Sequence, residues 1–300
     1  MKTAARSSRV CWQTLRNCIV LALAVYYVTT CCVLLGFWFG WRHVRTPSMA
    51  FHRPADVDFV DAFTHWDGQW YLRIVEEGYQ WIPGAMSSVA FFPAYPLLGK
   101  VVAAAGFEPR IALLLTAHGT FLAALATVIY YERVTNEKDD DVAGALWPAV
   151  VLAAWPFSLF YRAAYSEGLF LLIETLVLVG MRRHWRPAVL AVWIGALTAC
   201  RSVGVAIVVA FAVYLWGRRP DQRRGRFLLV SGLLLLGSCW GIAAYAAYLW
   251  LRFENPLAFV ETQAAWRNRE PLPGFWEKAA ALATLKPARD VYDPTCECYW

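Results

Sequence analysis

The stretch CIVLALAVYYVTTCCVLLGFWFGW, residues 18–41, decides the fold class of this chain. It has no charged residue and is long enough to cross a bilayer, which takes roughly 20 apolar residues. Basic residues precede it, namely Lys2, Arg6, Arg9 and Arg16. A cleaved signal peptide would have a shorter apolar region. We therefore expect a retained transmembrane helix that follows a cytoplasmic N-terminus, residues 1–17.

The composition extends this conclusion to the whole chain. Hydrophobic residues make up 59% of the sequence and charged residues 17%, compared with about 25% charged in average proteins. Further apolar runs lie at 111–131, 142–160, 165–181, 187–217 and 227–251. These runs predict an all-α, polytopic transmembrane bundle of about seven spans. The net charge of +6 is then a topology signal, and no nucleic-acid partner is expected.

Basic clusters predict which ends of the spans face the cytoplasm, because Lys and Arg resist translocation. The clusters are the N-terminus, residues 182–186 and residues 217–226. All three lie inside only if 187–217 crosses twice, as two short helices that meet near Arg201, and if 89–106 is not a full crossing. An eight-span arrangement is the alternative, and it places one cluster on the wrong side.

The predicted topology divides the chain into three parts. They are the cytoplasmic N-terminus 1–17, a membrane domain 18–251 with a large first outer loop at 42–110, and an extracytoplasmic tail 252–300. Four polar segments then share the outer surface, namely the loop around Asp67, residues 158–168, the turn at Arg201, and residues 255–269.

The segment HWDGQWY, residues 65–71, places one carboxylate among aromatic rings in the outer loop. Residues 64–78 have the pattern of an amphipathic helix in the membrane interface, with Asp67 near its apolar side. Desolvation there would raise the pKa of the Asp67 carboxyl group, which suits a general base that accepts a proton from a hydroxyl. The alternative is a capping box from Thr64 to Asp67, in which Asp67 only closes the first turn.

Charged residues elsewhere are further candidates for the site. Arg162, Tyr165 and Glu167 lie in a short polar link between apolar runs, where they either bind phosphate and hydroxyls or form an interfacial anchor. Glu174 and Arg201 lie within apolar runs, and intramembrane charges by default face a cavity or a partner. We expect Arg201 to pair with one of the two acids or with a lipid phosphate.

Other polar features are assigned no chemistry. His118 is expected to be a hydrogen-bonded packing residue. The acidic run 139–141 is expected on the inner side, as a solvated loop without a metal, and the eight cysteines lack metal-ligand spacing. The sequence contains no glycine-rich phosphate loop and no serine-nucleophile elbow. We expect no cofactor, and the sequence leaves a divalent-metal requirement open.

Four segments resemble the glycosylphosphatidylinositol mannosyltransferase 2 family and its bacterial relatives. HWDGQWY is similar to a motif of the family's first luminal loop, and the others follow in the family's order. They are AFFPAYPLL at 90–98, WPFS at 155–158 leading to AYSE at 164–167, and NPLAF at 255–259. One departure lies at 200–204, where relatives tend to have Thr-Arg-Pro-x-Gly and this chain has CRSVG.

The resemblance implies a GT-C-class glycosyltransferase that uses a polyprenyl- or dolichyl-phosphate sugar at the extracytoplasmic face. It implies that Asp67 is the catalytic carboxylate. We expect an inverting transfer of a hexose, mannose by resemblance, to a hydroxyl of a lipid or glycan acceptor. Arg201 and Arg162 would stabilise the departing phosphate, and the aromatic rings would stack on sugar or polyprenyl surfaces. The substrate-binding set is His65, Trp66, Trp70, Tyr71, Arg162, Tyr165, Glu167 and Arg201.

Two other functions stay open at this point. A non-catalytic membrane subunit or lipid-binding scaffold would keep the fold without turnover, because family members commonly run longer than this chain. A transporter that uses Glu174 and Arg201 as a relay would need internal symmetry, and no repeat is visible. A bacterial plasma membrane is expected rather than the endoplasmic reticulum, because the C-terminus carries no retention signal and the N-terminus is plainly basic.

Overall fold

The computed structural model describes residues 2–43, 58–135, 142–218 and 224–266, together with positions 276, 280, 283 and 284. All regular secondary structure in these residues is helical, so the all-α prediction is confirmed. The acidic run 139–141 and most of the predicted tail lie outside the described residues.

The first half of the chain contains α1 (Lys2–His43), α2 (Phe59–Phe63), α3 (Asp67–Glu76), α4 (Ala94–Ala104), α5 (Pro109–Thr135) and α6 (Val142–Ala154). The second half contains α7 (Glu167–Arg182), α8 (Pro187–Cys200), α9 (Ala206–Gly217), α10 (Arg224–Gly237), α11 (Trp240–Phe253) and α12 (Ala258–Glu261). Short 3₁₀ turns lie at Ser88–Ala90, Pro156–Tyr161, Ser202–Val205 and Thr262–Ala264.

Two helices among the described residues are long and apolar enough to cross a membrane. They are Thr14–Gly40 within α1, with a mean hydropathy of 2.4, and Pro109–Arg133 within α5, with a mean hydropathy of 1.9. The consecutive helices α10 and α11 meet at 50° and would together make a third span. Shorter apolar helices complete the set, as expected of an all-α membrane protein. The count of seven spans stays a prediction.

The run 187–217 breaks at the position that the sequence predicts. Helix α8 ends at Cys200, and Arg201 has an extended backbone (φ −155°, ψ 149°). Gly204 lies close to the backbone of Leu197, so a Cβ atom at Gly204 would be 2.6 Å from the Leu197 oxygen. The start of α8 and the end of α9 share one cluster, which includes Leu190, Ile194, Phe211 and Leu215. The two helices therefore form a hairpin. Its arms of 14 and 12 residues measure about 21 and 18 Å, less than the roughly 30 Å hydrocarbon core.

The helices of the predicted outer loop are part of the hydrophobic core. Tyr71 and Ile74 of α3 and Tyr95 of α4 are buried in one cluster with residues of α5, α7 and α8. The Tyr95 hydroxyl donates to the Leu113 carbonyl of α5 at 2.8 Å. This packing fixes the loop helices on the ends of the membrane helices.

The chain returns to the outer loop after α11. The Tyr245 hydroxyl of α11 donates to the Val89 carbonyl at 2.9 Å, and the Thr262 hydroxyl donates to the Ala85 carbonyl at 3.1 Å. Residues 255–266 therefore lie against the loop that contains Asp67.

The contact between α8 and α11 depends on Gly241. A Cβ atom at Gly241 would lie 2.0 Å from the Gly195 oxygen and 2.5 Å from the Ala199 nitrogen, both backbone atoms of α8. We expect Gly241→Ala to destabilise the protein by about 1–3 kcal/mol, because the two helices must move apart. Thermal unfolding in detergent measures this. The control is Gly232→Ala in α10, where nothing lies within 4 Å of the added atom; equal unfolding temperatures for the two variants would contradict the prediction.

Candidate active site

Asp67 is the first residue of α3, and it is not part of a capping box. Thr64 ends the preceding helix α2, and its hydroxyl donates back to the carbonyl oxygens of Val60 and Asp61 at 2.8 and 3.1 Å. The residue before the helix is Trp66, whose side chain makes no capping hydrogen bond. The predicted helix 64–78 therefore begins at Asp67, and the capping alternative is wrong because the Thr64 hydroxyl is used elsewhere.

Trp66 has a backbone conformation that L-residues rarely adopt, with φ 52° and ψ −117°. Such a conformation costs about 1–3 kcal/mol and persists only where the surrounding structure enforces it. Here the enforcing contacts come from residues 164–165. The Ala164 amide donates to the Phe63 carbonyl at 2.8 Å, and the Asp67 amide donates to the Tyr165 hydroxyl at 3.3 Å. The turn before Asp67 is thus held from both sides.

The Asp67 carboxyl group is partly desolvated and lies near a positive charge. Burial raises its pKa above the usual range of aspartate, and the charge of Arg201 partly opposes that increase. The direction is the one that the sequence predicts. A raised pKa makes the carboxylate a stronger base, provided that the pH is above it.

Arg201 forms an ion pair with Glu167 across the start of α7 and the hairpin turn. Its Nη1 bonds to Glu167 Oε1 and donates to the Ser166 hydroxyl at 3.2 Å. The predicted pairing therefore goes to Glu167 and not to Glu174. Glu167 Oε2 is buried and has no hydrogen-bond partner among the described residues. A buried polar atom without a partner is costly, so this oxygen is available to a substrate group.

Tyr71 and Ser166 complete the polar cluster. The buried Tyr71 hydroxyl donates to Ser166 Oγ at 3.0 Å, the same oxygen that Arg201 contacts. Burial raises the pKa of the Tyr71 hydroxyl, which therefore stays protonated as a donor. Sequence reasoning missed Ser166, although its place directly before Glu167 in the polar link is the signal that could have indicated it.

The predicted aromatic residues have three different environments. Tyr71 is buried and cannot stack on a ligand. Trp70 is already in contact with Phe91 (centroids 5.9 Å, stacked), with Trp266 (5.3 Å, edge-on) and with the Arg73 guanidinium (5.1 Å). Trp66 is 67% exposed. Of the three predicted stacking rings, Trp66 is therefore the most exposed.

Arg162 lies in a different environment from the predicted one. Its side chain is fully buried. The guanidinium donates to the hydroxyls of Thr29, Thr30 and Ser158 at 2.6, 2.9 and 3.0 Å. It also lies 5.0 Å from the centre of the Phe121 ring. These contacts join α1 to the segment after α6. They occupy the donors that a phosphate would need, so the structure does not support a donor-binding role for Arg162.

His118 is a satisfied packing residue, as predicted. Its Nδ1 lies 2.5 Å from the Tyr26 hydroxyl of α1. No cluster of three or more metal-ligating side chains occurs in the part of the chain that the structure describes.

An apolar groove of about 770 Å³ adjoins the polar cluster. Five helices line it, α3, α4, α7, α8 and α11. Ile74, Leu169 and Ala199 contribute to the wall, and each lies within three residues of a member of the polar cluster. Lys100 of α4 and Tyr248 of α11 also line the groove. The arrangement joins a long apolar groove to a cluster that contains two carboxyl groups and one guanidinium.

A sequence profile of the family described as Mannosyltransferase (PIG-V) matches residues 44–219. The chain belongs to this family. The match includes Asp67, Glu167 and Arg201, which form the polar cluster of this PIG-V family member. The α11 wall of the groove lies outside it.

Two curated relatives agree with the family assignment. GPI mannosyltransferase 2 of Drosophila melanogaster is 27% identical over 210 residues, 64% of this chain and 45% of the relative. The protein of the same name from Drosophila pseudoobscura pseudoobscura is 27% identical over 212 residues, 66% of this chain and 46% of the relative. The chain thus spans about half the length of the curated relatives that it matches. No solved structure is significantly similar to it. Because both relatives are eukaryotic, the comparisons do not support the preference for a bacterial membrane.

Proposed function

We propose that this PIG-V family protein transfers mannose from a polyprenyl- or dolichyl-phosphate donor to an acceptor hydroxyl at the extracytoplasmic face. The observation that carries this proposal is the position of Asp67 and the Arg201–Glu167 pair beside the apolar groove. The family assignment supplies the sugar and the class of reaction.

The groove suits the lipid part of the donor. Its volume of about 770 Å³ lies within the range of roughly 300–1,000 Å³ that is usual for ligand sites. An isoprenoid chain in the groove would place its phosphate beside Arg201, because the groove wall at Leu169 and Ala199 continues into the polar cluster. A lipid-linked donor needs no nucleotide-binding motif, in agreement with the sequence.

The transfer step needs one base and one stabilised leaving group. The acceptor hydroxyl oxygen attacks C1 of the sugar from the side opposite the phosphate, and its proton passes to the Asp67 carboxylate. The bond between C1 and the phosphate oxygen breaks, and its electron pair leaves with the lipid phosphate. Arg201 stabilises the negative charge that develops there. Attack from the opposite side inverts the configuration at C1.

The other members of the cluster position these two groups. Glu167 orients the Arg201 guanidinium through Oε1, and its free Oε2 can accept a hydrogen bond from a sugar hydroxyl. Ser166, directly before α7, accepts a hydrogen bond from the same guanidinium, and the Tyr71 hydroxyl of α3 donates to that Ser166 oxygen. Tyr165 holds the Asp67 backbone. His65 and Trp66 lie outside this cluster, next to Asp67 in sequence.

The acceptor proposal follows the relatives' name. Both are named GPI mannosyltransferases, so the proposed acceptor is a glycosylphosphatidylinositol precursor or a comparable glycolipid. No cofactor is proposed. The compartment follows the acceptor, the endoplasmic reticulum for such a precursor and the plasma membrane for a bacterial glycolipid.

The direct test is transfer of radiolabelled mannose by the purified protein in liposomes. Dolichyl-phosphate mannose is expected to act as donor to the glycolipid acceptor, whereas GDP-mannose is not. Absence of transfer from every lipid-linked sugar offered would favour the alternative, a non-catalytic membrane subunit of the same fold.

A variant of the groove tests the placement of the donor lipid. Ala244 of α11 lines the groove and is exposed to it, so Ala244→Trp would fill space that the isoprenoid chain needs. We expect the KM for dolichyl-phosphate mannose to rise about tenfold, because a few apolar groups of the lipid lose their burial. The KM for a short-chain analogue, citronellyl-phosphate mannose, should change less.

Ala243→Trp is the matched control for this variant. Ala243 is the neighbouring exposed residue of α11 and does not line the groove. Equal effects of the two substitutions, or equal effects on the long and short donors, would contradict the placement of the lipid.

A further inference from the structure

Trp66 combines an unfavourable backbone with an exposed side chain. At φ 52° and ψ −117° it has a conformation that glycine tolerates best, whereas Glu254, another non-glycine residue with positive φ, has an ordinary left-handed conformation with ψ 16°. The indole is 67% exposed, so no burial of the ring compensates for the strain. Strained residues cluster at sites where the strained conformation is used.

A polar ring lies beside the Trp66 indole. His65 meets the indole edge-on, with ring centroids 6.1 Å apart, and its Nδ1 lies 3.2 Å from Gln69 Nε2. An exposed indole face beside an imidazole, which itself contacts the Gln69 amide, offers a flat apolar surface with a hydrogen-bonding group at its margin. A pyranose ring has the same combination, because its C–H groups form a flat face and its hydroxyls surround it.

The position of Trp66 relative to Asp67 indicates which sugar it would bind. Arg201 and the groove lie on the inner side of α3, where Gly68 packs against Ala164, and that side belongs to the donor. Trp66 is exposed and is therefore not packed on that side, and it precedes Asp67 directly, with consecutive Cα atoms about 3.8 Å apart. A sugar on the indole would therefore present a hydroxyl within reach of the Asp67 carboxylate, as a general base requires.

We infer that the Trp66 indole is the stacking surface for a sugar ring of the acceptor glycan, and that the strained turn aims this ring beside Asp67. The inference rests on the proposed mannosyltransferase function and assigns to it the acceptor side of the site. An interfacial membrane anchor is the other use of an exposed tryptophan. An anchor does not explain the His65 imidazole beside the indole, and it does not need a residue in this strained conformation.

Binding of a soluble glycan to the purified protein tests the inference without turnover. The probe is the water-soluble glycan that phospholipase C releases from a glycosylphosphatidylinositol precursor. Trp66→Ala removes the ring and keeps the strain, Trp66→Gly removes both, and Trp66→Tyr keeps an aromatic ring. We expect the dissociation constant to rise about tenfold in the Ala and Gly variants and to change little in the Tyr variant.

Thermal unfolding separates binding from a structural role. Trp66→Gly should unfold at the same or a higher temperature than Trp66→Ala, because glycine relieves the backbone strain. Trp147→Ala is the matched control, since that residue of α6 is also 67% exposed, and it should bind the glycan as the wild type does.

Three outcomes would overturn the inference. They are a wild-type protein that does not bind the glycan, a Trp66→Gly variant that binds it with wild-type affinity, as a membrane anchor would, and a Trp147→Ala variant that weakens binding as much as Trp66→Ala does. The proposed function is tested separately. If it is wrong, the wild-type protein does not transfer mannose from dolichyl-phosphate mannose, whether or not it binds the glycan.

Discussion

Asp67→Asn is expected to reduce mannose transfer by about 10²–10⁴-fold, the usual contribution of a positioned general base. The amide has nearly the shape of the carboxylate but does not accept the proton of the acceptor hydroxyl. The substitution leaves the backbone contacts of the turn in place, because Asp67 bonds to Tyr165 through its amide nitrogen and not through its side chain. The protein should therefore fold and reach the membrane normally.

The control for this variant is Asp61→Asn. Asp61 lies in the same outer loop, is exposed, and faces Arg110 at 3.5 Å, so its loss should leave transfer unchanged. Rates are compared at matched protein levels, with unfolding temperature as the measure of folding. If Asp67→Asn transfers mannose at the wild-type rate, Asp67 is not the base, and Glu167 is the next carboxylate to test.

The pH profile gives a second measure of the same group. Burial raises the pKa of Asp67. The acid-side decrease in kcat/KM should therefore occur at a higher pH than it would with an aspartate of ordinary pKa as the base. The base must be unprotonated to act, so activity is present above the raised pKa and is lost as the pH falls through it.

Arg201→Ala is expected to lower kcat by about 10²–10³-fold, the cost of removing one preorganised group from the developing charge. It also removes the positive charge that opposes the increase in the pKa of Asp67. The acid limb of the pH profile should therefore move to still higher pH. Arg201→Lys should also be strongly impaired, because a single ammonium group does not reproduce the planar guanidinium that contacts Glu167 and Ser166.

Loss of the Arg201 partner leaves Glu167 partly buried without a counter-charge, so lower stability could imitate a catalytic defect. The double variant Arg201→Ala/Glu167→Gln removes the unpaired charge. It should recover the unfolding temperature while transfer stays low. Arg110→Ala, which breaks the exposed pair with Asp61, is the control for the loss of an arginine. An Arg201→Ala variant with full activity would remove Arg201 from the site.

Many residues of the candidate site could be indicated from the sequence because their signals are local. A run of apolar residues is enough to indicate α1 and α5, and a carboxylate among aromatic residues between such runs is enough to indicate Asp67. Arg201 was indicated by its charge within an apolar run, and Glu167 by its place in a short polar link between two such runs. What local pattern could not provide was the partner of Arg201, since Glu167 and Glu174 lie on the same helical face.

The clearest contrast is between the two arginines. Arg162 and Arg201 both interrupt apolar sequence near a helix end, and their sequence contexts gave both the same prediction. Tertiary packing places Arg162 among hydroxyls of α1 and the Ser158 turn, whereas it places Arg201 against Glu167 and near Asp67. The role of a guanidinium depends on its neighbours in space, and these come from distant parts of the chain.

The sequence by itself determined the helical membrane class and the hairpin break at Arg201, and it indicated Asp67 as the candidate acid, because hydropathy, charge and helix-breaking residues act over a few neighbouring positions. Only the tertiary structure decided that Tyr71 is a buried positioning group, that Trp70 stacks on Phe91 and that Trp66 is exposed on a strained turn. The direction of a ring depends on backbone angles and on packing against α4, α7 and residues 163–165, and no pattern along the chain records those contacts.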